Sequence, residues 1–284
     1  MLEIIKGKRL VFVGDSLNRN MWESLICSLK QSLANTSRIL QVSGRREFKT
    51  QGFYSFYFQE FNSSIDFIRS PFLVQELRFF DKDGNPRETL RLDMMQDSYR
   101  KYFDADIIIF NTGHWWTHQK IKKGTDYFQE GNQVYNKLEA VDAYTKALRT
   151  WAQWVDSNIK SNQTRVFFSG FAASHFKGGQ WNSGGSCDGE TKPITNETYL
   201  SPYPWMMSIL ESIIAEMKTP VFYLNITRMT DYRKDGHPSI FRVPEMQRKP
   251  GMIQDCSHWC LPGVPDSWNQ LLFATLLSSY ETFS

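Results

Sequence analysis

Residues 7 to 25 constrain the fold more than any other stretch of the sequence. Arg9 to Val13 read RLVFV, a short apolar run of the kind that forms a buried strand. The turn Gly14-Asp15-Ser16 follows it, and apolar residues then recur at helical spacing, at Leu17, Trp22, Leu25, Ile26 and Leu29. A strand, a tight turn and a helix start place a serine at the edge of a parallel sheet, beside free backbone N–H groups. Because serine also favours helix N-caps, Ser16 is either a nucleophile or a cap.

The rest of the chain alternates apolar runs with helical patterns. Buried strands are predicted at 107–110, from 165 and from 221, and helices at 137–160, 204–217 and 266–280. Residues 52–79 form two or three strands or an irregular insertion, a turn follows at 83–86, and 89–93 is a further strand. This alternation predicts an α/β fold, a three-layer sandwich around a mostly parallel sheet, with the site at the carboxyl ends of the strands.

Length and composition favour one elaborate domain, because 284 residues are near the upper limit for a single hydrophobic core. A hydrophobic content of 41% with 22% charged residues is typical of a folded protein. A net charge of +3, without a basic run interleaved with aromatic residues, indicates no nucleic-acid partner. No run reaches the roughly 18 apolar residues that span a bilayer. The N-terminal MLEIIKGKRL has no signal-peptide core.

Five N-x-S/T sequons indicate a glycoprotein of the secretory pathway. About two would be expected by chance at this content of Asn, Ser and Thr. The sequons lie at Asn35, Asn62, Asn162, Asn196 and Asn225. Because the start of the sequence lacks a signal peptide, we expect it to lie inside a longer protein.

The four cysteines fit a disulfide framework better than a zinc site, since the close Cys pairs and His spacings of zinc motifs are absent. We favour a Cys187–Cys256 bridge, which ties a Gly/Ser-rich loop to a motif late in the chain. Cys27 and Cys260 either pair with each other or, in the interpretation we prefer, with cysteines of a preceding segment. His114 and His118 stand four apart without a third ligand, so we predict no metal site.

The late motif DCSHWCLPG, residues 255 to 263, concentrates residues that carry chemistry. Asp255 and His258 are three apart, so in a turn or a first helical turn their side chains share a face. A carboxylate that accepts a hydrogen bond from one imidazole nitrogen directs the other nitrogen toward a nucleophile. The simpler alternative is a surface Asp-x-x-His pair. Flanking cysteines, Trp259 and the stiff Leu-Pro-Gly turn favour a fixed geometry instead.

Taken together, these motifs resemble the plant trichome birefringence-like family of polysaccharide O-acetyltransferases, or PC-esterases, which is related in fold to the GDSL/SGNH hydrolases. The resemblance covers nearly the whole chain and rests on GDSLNRN, NTGHWWTH, ALRTWAQWVD and DCSHWCLPGVPDSWN. Members usually carry an N-terminal membrane anchor and a Cys-rich segment, neither of which precedes the GDS motif here. The resemblance therefore implies a type II membrane protein of the Golgi lumen, with residues 1–284 as its single catalytic domain.

The resemblance implies a catalytic triad in which Ser16 is the nucleophile, His258 the base and Asp255 the residue that orients the base. It further implies an oxyanion hole, for which the candidates are the backbone N–H of Ser16, Gly44 and Asn111, with His114 a weaker one. No bound cofactor is expected, and the acetyl donor is a co-substrate of unknown identity. The acceptor is a cell-wall polysaccharide, with pectin favoured over xylan or mannan.

Substrate contacts are less constrained. Arg19, one helical turn after Ser16, either contacts a substrate carboxylate or forms a structural ion pair. His114 is a further candidate, as are aromatic rings that either stack on sugars or pack in the core, Trp115, Trp116, Trp181 and Trp259. Two rival functions remain open: an acetylesterase with water as acceptor, and a wall-polysaccharide-binding protein without catalysis.

Overall fold

A computed structural model describes residues 1–44, 52–117, 119–249 and 251–281. Its strands are β1 (Arg9–Gly14), β2 (Ile39–Gln41), β3 (Phe53–Phe58), β4 (Ser63–Arg69), β5 (Val74–Phe80), β6 (Pro86–Met95), β7 (Ile107–Phe110), β8 (Phe128–Glu130), β9 (Gln133–Val134), β10 (Arg165–Ser169) and β11 (Val221–Leu224). Its α-helices are α1 (Ser16–Gln31), α2 (Ala140–Asn158), α3 (Trp205–Glu216), α4 (Thr227–Asp231) and α5 (Val264–Glu281).

The main sheet has the strand order β11-β10-β7-β1-β4-β3-β2. The five strands from β11 to β4 are parallel to one another, and β3 pairs antiparallel with both β4 and β2. The register places Val13 beside Phe110 and Gly14 beside Arg69, so these strands end at one common edge. The predicted α/β fold with a mostly parallel central sheet is confirmed.

Helices cover both faces of this sheet because its strands are apolar on both sides. Val11 and Val13 of β1 join a core with residues of α2 and α3, whereas Leu10 and Phe12 join a second core with residues of α1 and α5. This two-residue alternation follows from the pleat of a strand. The result is a three-layer α/β/α sandwich with β1 in the middle of the sheet.

A smaller sheet, with the order β5-β6-β8-β9, packs against α2 through Leu90, Leu92 and Phe128. The predicted turn at 83–86 and the predicted strand at 89–93 fall between β5 and β6 and within β6, but the sequence does not predict β8 and β9. Those two strands are short and partly polar, so they carry little of the periodicity that identifies a strand. Within the described ranges, no helix has the length and apolar character to cross a membrane.

Candidate active site

Asp15, rather than Ser16, caps the first helix. Asp15 has extended backbone angles, and its Oδ1 accepts a hydrogen bond from the N–H of Leu17 at 2.9 Å. Ser16 is the first residue of α1 and lies just past the carboxyl end of β1. Since capping is done by Asp15, the hydroxyl of Ser16 is available for another partner.

That partner is His258, which lies beside Ser16 although the two are 242 residues apart in the chain. Ser16 Oγ is 2.7 Å from His258 Nε2, and His258 Nδ1 is 3.0 Å from both carboxylate oxygens of Asp255. Burial alone would raise the pKa of Asp255, but the hydrogen bonds and charge of His258 hold that pKa well below its usual range. The ionised carboxylate keeps the proton on Nδ1, so that Nε2 can accept the serine proton.

The loop that carries His258 is fixed from several sides. Asp255 Oδ1 accepts the backbone N–H of His258 at 3.1 Å, which curls the D-x-x-H segment so that both side chains meet. Cys256 is disulfide-bonded to Cys187, the pair that the sequence favours. The Asn20 side chain clamps the backbone of Trp259, accepting its N–H at 2.8 Å and donating to its carbonyl at 3.2 Å. Helix α1 therefore supplies Ser16 and also holds the loop of its partner.

Asn18 and Asn20 explain the two asparagines of the GDSLNRN motif, to which the sequence alone assigns no role. Asn18 donates to the carbonyl oxygens of Val13 and Ile109 at 3.1 and 2.8 Å, tying α1 to the ends of β1 and β7. Both asparagines are buried. The sequence does contain a signal for the structural role of Asn18, which falls on the same helical face as Trp22. A polar residue on an apolar face needs a buried hydrogen-bond partner.

Asn111 fixes the turn that precedes Ser16. Its Oδ1 accepts the N–H of Asp15, and its Nδ2 donates to Asp15 Oδ1, each at 2.9 Å. A Cβ at Gly14 would lie 1.8 Å from Asn111 Oδ1, so this close approach requires glycine. The contacts assign Asn111 to the turn and give no support to its predicted place in an oxyanion hole.

A buried ion pair lies beneath the turn. His114 Nδ1 is 3.1 Å from Asp15 Oδ2 and its Nε2 is 2.8 Å from the carbonyl oxygen of Ala172, while the ring stacks on Phe171 at 4.3 Å. Because both nitrogens face acceptors, both carry protons and the ring is an imidazolium. The sequence predicts contact of His114 with sugar or oxyanion, and this is wrong because both nitrogens are already bound within the protein.

The two members of this pair shift each other's pKa values. Burial alone would lower the pKa of His114, but the charge and hydrogen bond of Asp15 outweigh it and raise that pKa above its usual value. Burial alone would raise the pKa of Asp15, but the charge of His114 and hydrogen bonds from His114, Asn111 and Leu17 lower it. Each partner therefore favours the ionised form of the other.

Of the predicted oxyanion donors, the backbone N–H of Ser16 is best placed. It lies in the first turn of α1, and no residue of the described ranges accepts a hydrogen bond from it. Gly44 is exposed and follows the edge strand β2, which β3 and β4 separate from β1. Among the described residues no hydrogen bond joins Gly44 to Ser16, and a place for Gly44 in the oxyanion hole stays a prediction.

The predicted sugar-binding residues divide into buried and accessible ones. Trp116 and Trp259 are only 4% and 3% exposed, so of their two predicted roles they have the one in the core and not the stacking on sugars. Trp116 packs edge-on against Phe72 in the core, and Trp259 packs beneath the His258 loop. Arg19 forms an ion pair with Glu23 at 3.4 Å, the structural one of its two predicted roles. Trp115 remains partly exposed at the site edge.

Two further histidines support the His258 loop, and the sequence assigns neither of them a role. His237 Nδ1 lies 2.7 Å from the backbone carbonyl oxygen of His258, and its Nε2 lies 2.7 Å from His175 Nδ1. Burial lowers the pKa of His237 to about 4, so the ring is neutral at pH 7. It therefore donates from Nδ1 to the carbonyl of His258 and accepts at Nε2. His237 is a positioning residue for His258.

We expect His237→Ala to lower about tenfold the kcat of a reaction in which Ser16 is the nucleophile, because one hydrogen bond to the backbone of His258 is worth about 1.4 kcal/mol. KM should stay nearly constant, since His237 faces the loop and not the substrate. His237→Gln, which retains an N–H donor, should recover part of the loss. Steady-state kinetics of the three proteins check this, and a raised KM with unchanged kcat would contradict the assignment.

The remaining sequence features fall on the surface. All five sequon asparagines are exposed, so each is accessible to glycosylation, which stays a prediction. Cys27 and Cys260 are exposed and do not pair with each other. Their pairing with cysteines outside the sequence stays a prediction. His118 lies outside the described residues.

The chain is similar to known proteins over nearly its whole length. The family model described as "PC-Esterase: GDSL/SGNH-like Acyl-Esterase family found in Pmr5 and Cas1p" matches residues 1–275. The chain is 63% identical over 286 residues to "Protein trichome birefringence-like 4" of Arabidopsis thaliana, covering 99% of the chain and 63% of that protein. It is 57% identical over 288 residues to "Protein trichome birefringence" of the same plant, covering 100% of the chain and 47% of that protein. The chain thus spans about half to two thirds of the length of these relatives.

Proposed function

Since the chain belongs to the PC-esterase family of GDSL/SGNH-like acyl-esterases, we propose that it is an O-acetyltransferase that acetylates a plant cell-wall polysaccharide through an acetyl-serine intermediate. The observation that carries this proposal is the hydrogen-bonded series Ser16–His258–Asp255 at the edge of the sheet. Pectin is the favoured acceptor, ahead of xylan or mannan. We place the protein in the Golgi lumen, because exposed sequons and the Cys187–Cys256 disulfide are typical of a protein of the secretory pathway.

The first half-reaction transfers the acetyl group to the protein. Ser16 Oγ attacks the acetyl carbonyl of the donor while His258 Nε2 takes the hydroxyl proton. Asp255 stabilises the imidazolium that forms. The backbone N–H of Ser16 faces the developing oxyanion and contributes on the order of 3 kcal/mol to the transition state. When the tetrahedral intermediate collapses, the bond to the donor breaks and His258 returns its proton to the leaving group.

The second half-reaction transfers the acetyl group from Ser16 to the acceptor. A sugar hydroxyl of the acceptor replaces the leaving group, His258 takes its proton, and the hydroxyl oxygen attacks the acetyl-serine carbonyl. Collapse of the second intermediate forms the acetyl-sugar ester, and the proton on His258 returns to Ser16 Oγ. An acetylesterase would use water at this step, so the two functions differ in acceptor and share the same protein groups.

Product analysis tests the proposal. The chain is incubated with para-nitrophenyl acetate as acetyl donor and an unacetylated pectic oligosaccharide, and the products are identified by mass spectrometry. We expect acetylated oligosaccharide with wild type and none above background with Ser16→Ala. Ser28→Ala, an exposed serine on the same helix, is the matched control and should behave as wild type. Release of acetate without any acetylated sugar would overturn the transferase proposal in favour of the esterase.

A further inference from the structure

Two cations and two aromatic rings form a cluster near the Ser16 edge of the sheet that the acetyl-transfer steps do not use. We call it the cation–aromatic cluster. Its members are Arg69, Trp115, Lys120 and Trp181.

The chain topology brings this cluster to the active-site edge. Arg69 is the last residue of β4 and pairs in register with Gly14 of β1, two residues before Ser16. Trp115 directly follows His114, whose ring binds Asp15. Trp181 lies in the loop whose far end is bonded, through Cys187, to the segment that carries His258.

Arg69 is a half-buried cation with which no carboxylate of the described residues forms an ion pair. Its guanidinium carbon lies 4.6 Å from the centre of the Trp115 ring. Among the residues that the structure describes, none forms an ion pair or a side-chain hydrogen bond with that guanidinium. Burial lowers the pKa of Arg69 and outweighs the opposing charges of Glu76 and Asp15, while the positive charge of Arg19 adds to the lowering. A partly desolvated cation in this state is stabilised by an incoming anion.

Lys120 extends the cluster toward solvent. Its ammonium nitrogen lies 4.5 Å from the centre of the Trp115 ring and 5.1 Å from that of Trp181. Trp115 therefore contacts both cations and holds them in place. The Trp181 ring is 39% exposed, which leaves aromatic surface for a sugar beside the ammonium. Cations and aromatic rings alternate across this surface.

We propose that the cation–aromatic cluster binds carboxylates of an acceptor chain built of uronic acids, with Arg69 holding the carboxylate nearest Ser16. This inference rests on the proposed function, because it takes Ser16 as the site of acetyl transfer. Aromatic rings suit the apolar faces of sugars, and unpaired cations suit carboxylates, whereas a neutral polysaccharide has no group to compensate Arg69. An anionic acetyl donor shares the negative charge but not the need for an aromatic surface.

Binding to the Ser16→Ala protein tests the cluster independently of catalysis. Calorimetry compares oligogalacturonide with the same oligosaccharide after complete methyl esterification, which removes the charge. We expect the charged form to bind about tenfold more tightly, the effect of one hydrogen-bonded ion pair. Adding Arg69→Gln should abolish most of that ratio, and adding the exposed Lys120→Gln should reduce it with no risk to the fold. Arg100→Gln is the control, since it removes a cation near Tyr99 at the amino-terminal ends of the strands, away from Ser16. It should leave the affinity ratio unchanged.

Two results would overturn the inference. One is equal affinity of the Ser16→Ala protein for the charged and esterified oligosaccharides. The other is an affinity ratio between the charged and esterified oligosaccharides that persists in both Arg69→Gln and Lys120→Gln, together with weaker binding of acetyl phosphate by these variants. That result would show that the cluster binds an anionic acetyl donor instead. Failure of acetyl transfer by wild type, with the binding ratio intact, would contradict only the proposed function.

Discussion

Asp255→Asn should lower kcat for acetyl transfer by about 10⁴-fold while KM changes little. The carboxylate fixes the proton of His258 on Nδ1, and an amide in its place presents an N–H that favours the opposite tautomer. His258 would then carry its proton on Nε2, facing Ser16, and could not accept the hydroxyl proton. The depressed pKa of Asp255 agrees with an ionised carboxylate that accepts the Nδ1 proton of His258.

Asp188→Asn is the matched control for that experiment. Asp188 is exposed and directly follows Cys187, so the substitution makes the same chemical change near the disulfide without touching His258. Its kcat should equal that of wild type. In Asp255→Asn, asparagine retains an oxygen that can accept the backbone N–H of His258, so thermal unfolding should stay cooperative. A loss of less than tenfold in kcat would contradict the assigned role of Asp255.

His114→Gln should lower the free energy of unfolding by about 3–5 kcal/mol near pH 6, because it leaves the carboxylate of Asp15 buried without its cation. The raised pKa of His114 means that the pair's stabilisation is complete below the usual value of 6.5 and declines as pH rises through the folded value. The lowered pKa of Asp15 means that the pair's stabilisation is present above the usual pKa of 3.8. This stabilisation declines as the pH falls through the pKa that Asp15 has in the folded protein. The difference in the free energy of unfolding between wild type and His114→Gln should therefore be largest between pH 3.8 and pH 6.5.

Urea unfolding at a series of pH values measures this difference. The double variant Asp15→Asn/His114→Gln removes both charges and should recover more than half of the stability lost in the single variant. Parallel pH curves for wild type and His114→Gln, or a loss below about 1 kcal/mol, would show that the pair is not an ion pair in the folded protein.

The layered fold could be predicted because its signals are local. The apolar run of β1, the helical face of α1 and the turn between them lie within about two dozen residues, and each follows the period of its own element. The three-residue spacing of Asp255 and His258 is similarly local. The sequence therefore contains the motifs of the candidate site, and the parallel topology brings their strand ends together.

The supports of the site could not be predicted because they depend on contacts between distant segments. Asp15 meets His114 across 99 residues, and Asn20 meets Trp259 across 239. His237 reaches His258 through a backbone carbonyl, which leaves no trace in residue type. Burial decides between the two roles of a tryptophan, and residue type does not reveal it: Trp115 is partly exposed and Trp116 is buried, although both rings pack against Phe72.

The most direct test of the account is to identify the residue that receives the acetyl group. Rapid mixing of the chain with para-nitrophenyl acetate, followed by acid quench, digestion and mass spectrometry, traps the intermediate. We predict a burst of nitrophenol equal to the amount of protein and an acetyl group on the peptide that contains Ser16, with neither in Ser16→Ala. An acetyl group on any other residue, or turnover without acetylated protein, would contradict the account.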